Sequence, residues 1–150
     1  MKIKEKPTAL KLIAAVLSFL IISSVLPYFA VTASAAITPS TPQKDTDGVY
    51  QIGTAAELYG FAQLVNGGNT DQNTKAVLTA DITVNKNLLS SLEFDENNNV
   101  TNGDNFVSWT PIGNNSNKYT GTFDGQGHTI SGLYFNAPIT DYVGLFGFLE

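Results

Sequence analysis

The 150-residue chain is long enough for one modest domain and has the mixed composition of a globular protein. It has no arginine and no cysteine, which excludes disulfides, thiolate metal sites and thiol nucleophiles. Beyond residue 36, four basic side chains stand against twelve acidic ones, a net charge of −8 that leaves no basic face for nucleic acid or for an anionic membrane surface.

The chain opens with four lysines against one glutamate in residues 1–11, followed by an apolar and serine run over 12–26. Pro27 breaks that run, and Ala33-Ser34-Ala35 offers the small residues a signal peptidase accepts. This is the three-part pattern of a secretory signal peptide over 1–36, cleaved after Ala35 or Ala36. An uncleaved anchor is the competing reading, because 12–31 reaches the ~20 residues needed to span a bilayer. Residues 37–47, with Pro39 and Pro42, read as an extended, solvated linker, and a domain is expected over 48–150.

Residues 49–52 alternate polar and apolar, as a short strand does. Thr54, Ala55, Ala56 and Glu57 form a capping box, in which the Thr54 hydroxyl accepts from the third backbone N–H and Glu57 reaches back to the cap's own N–H. Leu58, Phe61, Ala62, Leu64 and Val65 then recur at three- and four-residue spacing, which gives a helix with one apolar face. Asn66, Gly67 and Gly68 stop it. A helix this short is marginal alone and must dock, here as a cap on a β core.

The alternation and β-branching of 76–84 predict a strand. Residues 85–105 read as a long polar loop around Leu88 and Leu89. An alternating pattern resumes over 106–109, a turn follows over 111–115, and strands are expected over 119–123 and 128–135 around the tight turn 124–127. A turn at 136–138 and an apolar stretch over 142–149 complete the chain. Asp124-Gly125 permits a hairpin meander. The helical cap, the glycine corners and the rhythm of single strands favour an all-β, right-handed parallel β-helix (solenoid) with a short N-terminal capping helix.

One stretch carries a family resemblance. The runs Trp109-Thr-Pro-Ile-Gly113, Tyr119-Thr-Gly-Thr-Phe-Asp-Gly-Gln-Gly-His-Thr-Ile-Ser-Gly-Leu133 and Gly144-Leu-Phe-Gly147 resemble the GLUG-motif repeat proteins of bacterial surfaces. The strand-helix-strand pattern over 49–84 looks like the segment that opens such repeat regions. The resemblance implies a β-helix-like fold and a secreted or cell-surface, non-catalytic repeat module in adhesion or display, with host or cell-surface glycans or proteins as partners. It does not imply an enzyme, and the sequence has no phosphate loop or dinucleotide fingerprint that would call for a cofactor. The motif occurs once, whereas stacked repeats stabilise one another in threes or more. The expectation is therefore the N-terminal part of a longer design, or a truncated reading frame, with an open C-terminal strand edge available for self-association.

No catalytic, cofactor or metal residue is assigned from sequence, although four clusters come into question. His128, the only histidine, lies near Ser131 and Asp124, but strand geometry does not converge them into a triad. Asp124 and Asp141 suit a glycosidase pair in type, yet both sit beside turns, where aspartate bonds its own backbone. Residues 93–105 are rich in the hard oxygen ligands calcium takes. They fail the EF-hand template, with Val100 where glycine belongs and Phe106 at the position of the bidentate glutamate, which favours a solvated loop. Trp109, Tyr119, Tyr134, Phe135 and Tyr142 suit either a sugar-binding face or stacked core columns, with the core the stronger reading. The class-distinct alternative is the N-terminal part of an extracellular β-helix polysaccharide-acting enzyme, argued from fold analogy alone.

Overall fold

The computed structural model describes residues 36–136 and 141–150. The signal peptide expected over 1–36 lies outside the described residues except for Ala36, as do residues 137 and 138 of the expected turn at 136–138.

Among the described residues five short strands and two helices follow in chain order: β1 (Tyr50–Ile52), α1 (Ala55–Asn66), β2 (Lys75–Leu78), β3 (Ile82–Thr83), α2 (Leu88–Ser91), β4 (Thr122–Asp124) and β5 (Ile130–Ser131). A single 3-10 turn, Gly103–Asn105, lies between α2 and β4. One sheet has the order β1-β2-β4 and the other pairs β3 with β5, and every strand pairing is parallel. In register, Ile52 faces Leu78, Ala76 faces Phe123, and Ile82 faces Ile130.

This corrects the expected fold. Among the described residues the strands make two small open parallel sheets beside two helices, and no closed or solenoid sheet forms. The reason lies in the connections. The predicted strand over 76–84 breaks at Thr79–Asp81 into β2 and β3, which join different sheets. Where further pairing was expected, only the isolated bridges Ser108↔Tyr134, Ile112↔Phe146 and Tyr119↔Leu149 form. The proline, glycine and asparagine residues at 111–117 interrupt the backbone there, since they favour turns over ladders. The hairpin meander is not formed either, because β4 and β5 lie in separate sheets. Within 85–105, expected as one long loop, the structure has α2, the 3-10 turn and an antiparallel bridge between Phe94 and Val100.

Helix α1 forms as its residues dictate. The Thr54 hydroxyl accepts from the Glu57 N–H at 3.2 Å. The Glu57 carboxylate accepts from the Gly53 N–H and from the Thr54 hydroxyl, both at 3.0 Å. Leu58, Phe61, Ala62 and Val65 are buried, while Leu64 is half-buried. Gly68, at φ +73°, turns the chain out of the helix, and its N–H donates to the Val65 carbonyl.

Phe61 is the centre of the core. Its ring meets Tyr50 at 5.5 Å and Tyr119 at 5.7 Å, both edge-on, with Phe123 at 6.1 Å. Phe146 extends the cluster by stacking on Tyr119 at 5.9 Å. Burial of this cluster and of Ile52, Leu58, Leu78 and Ile112 supplies the main favourable term for a domain with so few ladder hydrogen bonds.

The 37–47 segment is extended, but it is tied down. The Ser40 N–H donates to Ala56, the Gln51 N–H donates to Gln43, and Pro42 is fully buried. Gly60 permits this docking, since a Cβ there would lie 1.9 Å from the Ser40 carbonyl oxygen.

Candidate functional site

The structure sends the catalytic candidates to separate partners. His128 Nδ1 lies 3.4 Å from the Asp81 carboxylate. The Ser131 hydroxyl lies 3.1 Å from that of Thr83. Asp124 accepts from the Gln126 N–H at 2.9 Å and so holds its own turn. Asp81 is held below the usual carboxylate range first by the Thr129 N–H and then by bonds to the Thr129 and His128 side chains. Its role is structural: it joins the corner before β3 to the strand entry at Thr129. Asp141 lines a groove that Asp124 does not reach, so the two carboxylates are not brought together there.

The acidic stretch 93–105 satisfies itself. Asp95 accepts from the N–H groups of Asn97 and Asn99, each at 2.8 Å, and from the Asn99 amide. These bonds lower its pKa, with the Asn99 side chain the largest cause. Asn102 bridges the base of the loop by accepting from the Glu93 N–H and donating to the Ser91 carbonyl. Among the described residues no three histidine, aspartate or glutamate side chains gather as a metal would require.

The aromatic candidates divide. Trp109 is buried and donates its indole N–H to the Gly144 carbonyl at 3.1 Å. Tyr119 is buried, its hydroxyl donates to the Thr122 carbonyl at 2.7 Å, and burial pushes its pKa up to about 12. Tyr134 packs against Phe106 at 5.4 Å. These three are core residues. Phe135 and Tyr142 line an open groove of about 500 Å³ together with Phe148 and the buried Trp109, and Phe135 also packs against the core. Sequence reasoning had no means of adding Phe148, because the apolar run 142–149 has no period that separates inward from outward positions.

The floor of this groove is held by hydrogen bonds. Asn66, at the end of α1, donates to the Pro111 carbonyl and accepts from the Gly113 N–H, at 2.9 and 2.8 Å. Asn114 and Asn117 donate their amides to the Asn66 carbonyl. The helix C-terminus, which leaves carbonyls unpaired by nature, is thus clamped to the 111–117 turn. Tyr142 stands at the rim, 60% exposed, with its ring 4.2 Å from that of Phe148. Its backbone lies at φ +71°, a region that bulky residues seldom occupy. Among the described residues Asp141 is the only carboxylate in the lining, and no lysine lines the groove.

Neither a family model nor a solved structure matches the chain. It is 32% identical over 113 residues, 75% of its length, to halomucin of Haloquadratum walsbyi. It is 44% identical over 39 residues, 26% of its length, to a protein described as a Gly-rich membrane protein of Evansella cellulosilytica. The chain spans 1% of the first relative and 4% of the second.

Proposed function

We propose that the chain is a secreted or surface-displayed non-catalytic module that acts by binding, in adhesion or display, and that it is related to the GLUG-motif proteins. The observation that carries the reading is the aromatic groove: Phe135, Tyr142 and Phe148 line an open cleft over a hydrogen-bonded floor. Exposed aromatic surface of this kind costs folding free energy and suits recognition. Two features support placement at the cell surface or membrane. They are the leader pattern and the similarity to a protein described as a membrane protein. Among the described residues no helix is long and apolar enough to cross a membrane.

Protease shaving and antibody labelling of intact cells test the placement. The epitope is expected outside and sensitive to protease, and an exclusively internal epitope would overturn it. Beads coated with the chain test adhesion directly. Self-association through an open C-terminal strand edge belongs to the same reading, and β5, the last strand among the described residues, pairs there with β3 alone. Light scattering is expected to show a concentration-dependent increase in mass.

A further inference from the structure

We infer that the groove lined by Phe135, Tyr142 and Phe148 binds an uncharged pyranose oligosaccharide, with Tyr142 as the platform for one sugar ring. The inference rests on the groove being the binding face of the module. It does not depend on where the protein is displayed.

Two unfavourable features meet in one residue. Tyr142 holds a left-handed backbone at φ +71°, which costs on the order of 1–3 kcal/mol, and it leaves 60% of its surface to solvent. Folding alone is served by neither. Glycine would relieve the first, and a polar side chain the second. Together they hold an aromatic face at the rim, backed by Phe148 at 4.2 Å.

The chemistry of the lining selects the ligand. The C–H face of a pyranose packs on an aromatic ring, and its hydroxyl edge needs donors and acceptors. Thr110, Asn136 and Asp141 supply these at the rim, while the Asn66 and Asn114 amides are engaged in holding the floor. Among the described residues no lysine lines the groove and Asp141 is its only carboxylate, so phosphates, sulfates and uronates find no counter-charge there. A peptide adding as a strand would need free backbone groups. The N–H groups of Trp109, Ile112 and Gly147 already donate to backbone carbonyls. The volume, about 500 Å³, falls within the ~300–1,000 Å³ of small-molecule sites.

The test is calorimetric titration of the chain with cellohexaose and with the hexamer of N-acetylglucosamine, against hexagalacturonate and a proline-rich peptide. At least one uncharged hexamer is expected to bind in the micromolar to millimolar range, with the other two probes silent. Tyr142→Ala is expected to weaken binding about tenfold or more, the scale of one lost aromatic contact. Tyr142→Phe, which keeps the ring, is expected to stay within about threefold. Tyr142→Gly is expected to lose binding as Tyr142→Ala does while its melting temperature holds or rises, which separates a lost site from a lost fold. Silence of both uncharged hexamers, undiminished binding by Tyr142→Gly, or preference for the uronate or the peptide would each overturn the inference. A chain found inside the cell would overturn surface display and leave these titrations untouched.

Discussion

Replacing Gly60 with alanine sets two physical effects against each other. Gly60 lies inside α1, where alanine is the better residue by about 1 kcal/mol. If the local helix decided the outcome, Gly60→Ala would stabilise the protein by that amount. The structure predicts the opposite sign. The new methyl group would sit 1.9 Å from the Ser40 carbonyl oxygen and 2.4 Å from its carbon, both backbone atoms that cannot rotate away. The segment must lift from the helix, and with it go the Ser40–Ala56 and Gln43–Gln51 backbone hydrogen bonds. Each contributes about 1 kcal/mol net. The fully buried Pro42 loses a further 1 kcal/mol or so at ~25 cal/mol per Å². Against the helical gain, the net loss is about 2 kcal/mol. Urea denaturation reads it directly, and limited proteolysis should show cleavage at 37–44 appearing with the substitution. The decisive control deletes residues 37–42. In that background the clash partner is gone, and Gly60→Ala should become stabilising. If Gly60→Ala stabilises the intact chain as well, the docking of the segment on α1 is refuted.

Three other expectations follow from buried or self-bonded side chains. Asn85 is buried, donates to the carbonyls of Val107 and Gly132, and accepts from the Val107 N–H at 2.8 Å. Asn85→Asp should cost about 3 kcal/mol at neutral pH, because a carboxylate oxygen then faces two carbonyls; urea melts at neutral and acid pH should show partial recovery once the carboxyl can donate. Tyr59 and Tyr119 are pushed up to about 12 by burial, so the folded state favours their neutral form. The stability this supplies is complete below about pH 10 and is lost as pH rises from there toward 12, and phenolate absorbance should show two tyrosines titrating only as the fold melts. Calcium should leave the melting temperature unchanged, since the Asp95 carboxylate is already engaged by Asn97 and Asn99; Asp95→Ala should loosen the loop, seen as faster amide exchange over 95–99.

What was legible in the sequence was local. Helix α1 is specified by neighbours within four residues: a threonine that caps, a glutamate that reaches back, an apolar face, and two glycines that end it. The one departure is small, in that Glu57 bonds the Gly53 N–H instead of that of the cap itself. The strands were harder to read, because alternation reports which side of a strand is buried and not which strand lies beside it. The run 76–84 shows this. Its apolar positions are continuous in pattern, yet the run splits between two sheets, and at the split Asp81 accepts from the Thr129 N–H, 48 residues away. No spacing within the run announces it. The docking of 37–47 was hidden for the same reason. A proline-rich segment reads as solvated until a glycine elsewhere leaves room for its carbonyl.

The same distinction explains the site. The sequence showed five aromatics without ranking them, because an aromatic ring serves a core and a binding face equally well in pattern. The neighbours decide. Trp109 finds a carbonyl for its indole at Gly144, and Tyr119 finds one for its hydroxyl at Thr122. A buried aromatic with its polar atom satisfied has no reason to leave the core. Tyr142 has neither burial nor a relaxed backbone, and it is the aromatic against which the fold offers least compensation. Folding free energy opposes an exposed, strained tyrosine, so its retention there calls for another role. For that reason the groove, and not the histidine, the paired aspartates or the acidic loop, carries the functional reading.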